Sequence, residues 1–415
     1  MELAFFVSLI EMFLVIIEKK SSEGMTMTIT FSKKMNDFQT SIFNELAIYK
    51  KKKMDAGEEM IDLSIGSPDL SPPKYVMEEL ASSVKDPTGY KYSLNGTDEL
   101  LQTISDYYQL QYDVKLKFDL EILMVMGSQD GLVHLPVVLA DPGDIILVPD
   151  PGYTAYAAGI SMSGATAYPM PLKHENSYLP DLSLIPEDIR VRAKMMILNY
   201  PGNPIPALAT KEFFEKVVHF ARQHDIVVLH DFAYSELYFD KKPISFLSVP
   251  GAKEVGVEFN SLSKSFNMAG CRIGYVAGNS EVIDGLNRLK SNLDYGVFLP
   301  IQKAAIAALK HHSTFSSDLR ATYKKRRDIL VEGLQSLGWE VDLPQASMFI
   351  WAKVPASYTS TSTEFAYTLM DVSGIVTTPG IAFGPHGEGY LRISLVQDED
   401  VLKKAVSRLN DSGLF

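Results

Sequence analysis

The chain has 415 residues, enough to bury a large core and to build more than one lobe, and its composition (46% apolar, 22% charged) is that of an ordinary globular protein. A net charge of −12 with no long basic run argues against a nucleic-acid partner, although local arginines can still receive a small anionic substrate. The one cysteine excludes an intrachain disulfide and a Cys-rich metal site, and it fits a reducing, cytoplasmic setting.

The first stretch, MELAFFVSLIEMFLVII, is strongly apolar but interrupted by Glu11, and Lys19 and Lys20 follow it instead of preceding it. A secretory signal needs positive charge first, and a spanning helix needs about 18 or more apolar residues without a central carboxylate. Residues 1–26 are therefore read as an extension outside the fold, with Met25 or Met27 as the natural start, in preference to a membrane anchor. IGSPDLSPP (65–73) reads as a loop. From about Thr97 to Ala277, apolar runs alternate with helical patterns such as ATKEFFEKVVHFARQHD. The runs are ILMVM (122–126), DIILVP (144–149), KMMILNY (194–200), DIVVLHD (225–231), GVEF (256–259) and RIGYVAG (272–278). Unbroken apolarity predicts strands buried on both faces, and the alternation predicts an α/β layer with a mainly parallel sheet. Beyond LPIQKAAIAALKHHS (299–313) comes a long charged helical pattern, FSSDLRATYKKRRDILVEGLQSLG. With the strand-like SMFIWAKV and GYLRISLV it predicts a smaller α+β lobe, joined by the residues before about Ser83.

Ligands of open parallel sheets gather outside the carboxyl ends of the strands, so the residues that follow each run carry the chemistry. Lys264 lies in SLSKSFN and fits two patterns. One is the S-x-x-K of serine acyl-enzymes, but that class also needs S-D-N and K-T-G, and neither string occurs. The other is a Schiff-base lysine in a partly dry pocket, set against a plain loop lysine. Ser261 and Ser263 offer hydroxyls, and Arg272 a bidentate charge, to one phosphate. GSQDGL places Ser128 and Gln129 at a helix start suited to phosphate, or else makes a plain turn with Ser128 as N-cap. Asp231 needs a partner, either a protonated pyridine nitrogen or a salt bridge to Arg or Lys. Tyr153 and Tyr234 read as pocket aromatics or as core, and Asn203 as a side-chain donor or an ordinary turn residue. Arg392 is a carboxylate clamp if its face meets the cleft and a solvent-facing strand residue otherwise. The eight histidines show no metal-ligand spacing, so no metal is expected; His219, His224 and His230 read as structural or surface residues, and Cys271 as small and buried.

The strings SLSKSFNMAGCRIGY, LNYPGNP, HDFAYSELYFD, GSQDGL, DPGDIILVPDPGY and GYLRIS resemble class I/II pyridoxal-phosphate aminotransferases in the family's own order. KSNLDYGVFLPIQKAA and TPGIAFGPHGEGY look most like the branch that contains LL-diaminopimelate aminotransferases and enzymes acting on other amino acids. The resemblance implies the type I fold of such enzymes: a seven-stranded, mainly parallel sheet in a large domain (84–312). A small domain would be built from 27–83 and 313–415. It implies pyridoxal 5'-phosphate carried on Lys264, with Asp231 at the pyridine nitrogen and Asn203 and Tyr234 at the phenolic oxygen. Tyr153 would stack on the ring, while Ser128, Gln129, Ser261, Ser263 and Arg272 hold the phosphate. Tyr92 would reach the neighbour's phosphate in a homodimer. Arg392 and Gly66, beside Asn203, would take the substrate carboxylate. Pro206 after "NPI" and Tyr153 in place of a frequent Trp depart from the family pattern. The implied reaction moves an amino group between an L-amino acid and a 2-oxo acid. The alternatives are a carbon–sulfur lyase or decarboxylase on the same fold, and a cofactor-binding regulator without catalysis.

Overall fold

In the computed structural model, which describes residues 29–38 and 42–415, the apolar runs become strands. In chain order all the strands begin with β1 (Ile61–Asp62), β2 (Ile122–Val125), β3 (Ile145–Asp150), β4 (Thr166–Pro171), β5 (Ala193–Asn199) and β6 (Val227–Asp231). They continue with β7 (Gly256–Ser261), β8 (Gly274–Gly278), β9 (Phe349–Lys353), β10 (Ile375–Val376), β11 (Thr378–Pro379) and β12 (Tyr390–Ser394). The chain divides into two units, Met1–Gln39 and Thr40–Phe415. The described part of the first holds a 3-10 turn, Lys33–Asp37, and the expected extension at 1–26 lies outside the described residues.

Seven strands form one sheet in the order β2-β8-β7-β6-β5-β3-β4. From β4 across to β7 every pairing is parallel, while β8 runs antiparallel between β2 and β7. The reason lies in the connection: a parallel return needs a crossover of a dozen or more residues, usually helical. Between Ser261 and Gly274 the chain makes only a short helical turn, Leu262–Ser265, and a 3-10 turn, Ala269–Cys271. Alternate residues feed opposite faces. Leu147, Met196 and Val228 enter one core and Ile146, Ile197 and Leu229 the other, so the strands read as unbroken apolar runs. β4 is the exception. It is an edge strand with Thr166, Ala167 and Pro169 exposed, so no apolar run announces it.

Helices cover the sheet by the same logic. Lys211–Gln223 starts at Thr210, whose hydroxyl accepts from the Phe213 N–H, and buries Phe213, Phe214, Val217, Val218 and Ala221 on one stripe. A three-stranded antiparallel sheet, β11-β12-β9, packs Phe349, Ile350, Leu391 and Ile393 against Leu330, Leu334, Phe365 and Leu402 of neighbouring helices. β1 pairs in parallel with β10, tying residues near 61 to this C-terminal layer. No helix among the described residues is long and apolar enough to cross a membrane.

Candidate active site

β2, β3, β5, β6 and β7 all end on one edge of the large sheet, and the antiparallel β8 begins there. At that edge opens a cleft of about 760 Å³ that Gly66, Ser128, Gln129, Tyr153, Asn203, Asp231, Tyr234, Ser261, Ser263, Lys264, Arg272 and Arg392 all line. Its size suits a small organic ligand. A larger concavity of about 1050 Å³, flanked by His174, Tyr178, Trp339 and Trp351, holds none of these groups.

Lys264 follows Ser263 in the short turn after β7, and its Nζ donates to the Gly66 carbonyl at 2.7 Å. Its neighbour in the S-x-x-K pattern, Ser261, accepts from the Ser263 N–H through Oγ, which leaves its hydroxyl proton free to donate into the cleft. Burial, then the positive charges of Arg392 and Arg272, lower the amine's pKa to about 8, against a smaller opposing pull from Asp231. A substantial neutral fraction is therefore present near pH 8, and the amine can act as a base or nucleophile.

Arg392 belongs to β12, between Leu391 and Ile393, and its side chain points into the cleft rather than into solvent. Nη1 donates to Asn203 Oδ1 at 2.8 Å and Nη2 to the Ser64 carbonyl at 2.6 Å, while Nε is buried without a partner. The guanidinium lies 4.4 Å from the Phe349 ring centre and 4.9 Å from that of Phe383. Among the described residues no carboxylate pairs with it, and burial lowers its pKa to about 10. A buried guanidinium without an acid is a strong anion receptor. Its bond to Asn203 Oδ1 also leaves the Asn203 amide N–H groups free for the cleft.

Asp231 ends β6 and is 4% exposed. No Lys or Arg among the described residues pairs with it. Instead Tyr156, on the helix Ala155–Ser163, donates its hydroxyl to Oδ2 at 2.8 Å, and the Ala233 N–H reaches Oδ1 at 3.3 Å. Burial raises the Asp231 pKa and the Tyr156 hydrogen bond opposes it. The alternative of a salt bridge to Arg or Lys is thus set aside. Asn199, the last residue of β5, donates to the Asp231 carbonyl at 2.8 Å and accepts from the Asn203 N–H at 2.9 Å, which fixes the two ends relative to each other. Tyr153 is half-buried, with its hydroxyl on Gln129 Oε1 at 3.1 Å. Tyr234 is buried and its phenol is pushed well up by burial, so it stays a neutral donor.

The opposite end is built for an anion. The helix Ser128–Leu139 starts at Gly127, whose φ of +80° makes it the N-cap with no side-chain cap bond. Ser128 is therefore inside the helix rather than its N-cap, a correction to that reading, and its hydroxyl is not spent on capping. The Arg272 guanidinium packs where a Cβ on residue 127 would sit, so glycine is required there twice over. Arg272 has no carboxylate partner among the described residues; Nη1 donates only to the Ala269 carbonyl, at 3.1 Å. Free helix N–H groups, three serine hydroxyls and a guanidinium converge on one spot.

Tyr92 does not reach this cleft; it is 82% exposed and lies against Tyr295. Cys271 is half-buried rather than fully buried, and burial raises its thiol pKa, so it is not an activated nucleophile. His230 is fully buried against Glu258. Sequence reasoning missed Tyr156, Ser64, Phe43 and Phe383, and it counted Asn199 among the strand-end residues without giving it a role. Only Tyr156 left a signal, one helical turn after Tyr153 in GYTAYAAG.

The profile of the family described as aminotransferase class I and II matches residues 58–409. An LL-diaminopimelate aminotransferase of Dehalococcoides mccartyi is 44% identical over 380 residues, 91% of this chain and 97% of the relative. One from Aquifex aeolicus is 41% identical over 386 residues, 92% and 99% of the two chains. Among solved structures, a substrate-bound BacF from Bacillus subtilis superposes with a TM-score of 0.90 at 37% identity, covering 94% of this chain and 99% of the other. A Thermus thermophilus aspartate aminotransferase double mutant, at 24% identity and a TM-score of 0.87, shares the fold over 93% of this chain and 100% of that one. Enzymes of this family and fold depend in general on pyridoxal phosphate. With a profile match across most of its length and relatives this close, the chain belongs to the class I and II aminotransferases and is a transaminase.

Proposed function

We propose that this transaminase uses pyridoxal 5'-phosphate to exchange an amino group between an L-amino acid of the LL-diaminopimelate type and a 2-oxo acid. The observation that carries the reading is one cleft holding an amine with its pKa lowered to about 8 and a buried guanidinium without an acid partner. The donor class rests on the two relatives of that name.

The cleft's chemistry fits the cofactor: an unpaired arginine at a helix start for its phosphate and a buried carboxylate without a cation for its ring nitrogen. Ser128, Gln129, Ser261, Ser263 and Arg272 would hold the phosphate, Tyr153 one ring face, Asp231 the ring nitrogen, and Asn203 and Tyr234 the phenolic oxygen. Bound there, the cofactor supplies an electron sink for the bond that breaks at the substrate's Cα. Arg392 binds the substrate carboxylate, with Gly66 beside it, and so fixes which Cα bond faces Lys264. The neutral Lys264 amine takes the Cα proton and holds it for return, a task suited to a base whose pKa lies near working pH. Asp231, whose carboxyl accepts from the Tyr156 hydroxyl, would face the ring nitrogen and favour its protonated form. The walls of Phe43, Phe349 and Phe383 exclude water around the guanidinium.

The same reading includes a homodimer, supported by the exposed aromatics Tyr90, Tyr92, Tyr295 and Phe298, and a cytoplasmic setting. It also includes the division into 27–83 with 313–415 and 84–312, supported by the separate sheets and the β1–β10 pairing. The test is to mix the protein, loaded with pyridoxal phosphate, with LL-diaminopimelate and a 2-oxo acid and to follow cofactor absorbance and product. Keto-acid-dependent ping-pong turnover supports the reading, and Lys264→Ala abolishes it while keeping cofactor bound. Release of sulfide or carbon dioxide without any need for an oxo acid would replace it with the lyase or decarboxylase alternative.

A further inference from the structure

Tyr92 stands on a loop whose own chain makes no use of its phenol. It is 82% exposed, and among the described residues its hydroxyl has no hydrogen-bond partner. The ring leans on Tyr295, itself 61% exposed, with centroids 4.8 Å apart. An exposed ring on a free loop would wander, and a contact made by such a ring would lose most of its worth to ordering. The loop is not free. Ser93 and Gly296 pair as an isolated parallel bridge, so close that a Cβ at residue 296 would strike the Ser93 carbonyl.

The clamp that joins these two loops is a single side chain, Gln302. It sits in the helix Leu299–Lys310 and is fully buried. Its Nε2 donates to Ser93 Oγ at 3.0 Å and to the Val297 carbonyl at 2.7 Å, and its Oε1 accepts from the Thr97 N–H at 2.9 Å. Both donors and the acceptor are thus in use, and each bond lands on a loop that carries an exposed tyrosine or on its exit. Thr97 is in turn the N-cap of the helix Asp98–Tyr112, so the far end of the Tyr92 loop is anchored to a rigid element. A buried amide with all its partners filled tolerates only one geometry, because any shift leaves polar groups unpaired away from water.

We infer that Gln302 is a positioning residue for Tyr92: it welds the 91–97 and 291–298 loops into a rigid arm that presents Tyr92 to the phosphate end of the partner subunit's cleft, with Tyr295 as the platform under the ring. The inference rests on the proposed homodimer and on the cofactor's phosphate lying at that end. It assigns to a residue that does not line its own chain's cleft a share of the affinity for phosphate.

The experiment titrates cofactor-free protein with pyridoxal 5'-phosphate and, separately, with pyridoxal, which lacks the phosphate. The readout is the ratio of the two affinities, which a general loss of stability does not move. Tyr92→Phe, which deletes a hydrogen bond to a charged group, is expected to lower the ratio about tenfold. Gln302→Met is expected to do the same, and the double variant no more than either alone, because both changes remove one interaction. Ser93→Ala removes a single partner of the clamp and keeps the core intact; it is expected to lower the ratio about threefold even if Gln302→Met does not fold. A wild-type ratio in Gln302→Met and Ser93→Ala beside a lowered one in Tyr92→Phe overturns the inference and leaves the dimer reading standing. A wild-type ratio in Tyr92→Phe itself removes the placing of Tyr92 at the phosphate and the inference with it, whether or not the chain is a dimer.

Discussion

The Lys264 amine is largely buried and feels the positive charges of Arg392 and Arg272, and the consequence for stability has a definite sign. In the unfolded chain a lysine titrates at ~10.4; in the folded protein Lys264 titrates at about 8. Below that lower value both states carry the charge and folding must desolvate it, so the penalty is complete. Between the two values the unfolded chain keeps a proton that the folded one has shed, and stability rises with pH. Lys264→Met has no such titration. In cofactor-free protein it should therefore have the higher thermal midpoint at pH 7, and the gap should close toward pH 10; a gap that stays constant across that range would refute the lowered value. Lys264 itself was legible because a lysine among serines after an apolar run is rarely a core residue. The partner of the Asp231 carboxyl was not, because the Tyr156 hydroxyl comes from a different strand–helix unit and only the tertiary fold aims it. Asn199 was picked out by its place at a strand end, but its role was not: it lies in bridging two strand ends, and a side-chain amide in a proline-rich turn has many ordinary uses.

Among the loops, the one after β1 carries the most chemistry for its length, since Ser64 and Gly66 supply the carbonyls that Arg392 and Lys264 bind. Nothing in IGSPDLSPP explains why it holds still. The cause is the long helix His312–Ser336, from which buried Arg326 grips Asp69 with both Nη groups at 2.8 Å and also donates to the Leu395 carbonyl. Asp69→Asn leaves that guanidinium buried, with only the exposed Asp398 at 3.5 Å as a remaining acid. The expected loss is about 3 kcal/mol, the low end for a broken buried pair because Asp69 is partly exposed. Urea unfolding should show a lower midpoint with an unchanged slope. The donor's KM should rise about tenfold with kcat less affected, as expected when binding rather than chemistry loses its alignment. Loss of stability with an unchanged KM would mean that the loop is held by other contacts. Strand positions were readable here because both-face burial writes itself as unbroken apolarity. Strand direction was not, since β8 turns back through a connection too short for a crossover and no residue marks the reversal.

On the scale of the whole molecule, the cleft collects residues from the length of the chain, Gly66 near one end, Lys264 in the middle and Arg392 near the other. Sequence order says nothing of such a meeting, and the residues were found only because strand ends share one edge. Tyr92 is the one expected site residue that stays away from its own chain's cleft. If a two-fold assembly places each arm at the opposite cleft, that arrangement makes a prediction a single protomer cannot mimic. Co-expression of Lys264→Ala and Tyr92→Phe chains with different tags allows the hybrid dimer to be isolated. If Tyr92 acts across the interface, the intact Lys264 of one subunit meets the intact Tyr92 of the other. One of the two sites is then whole, and the hybrid should show about half the wild-type activity per dimer with wild-type dependence on cofactor concentration. If Tyr92 acts within its own subunit, the only protomer that keeps the lysine is also the one that bears the Tyr92→Phe substitution. The hybrid then needs as much cofactor as the Tyr92→Phe homodimer, which would end the case for a shared site.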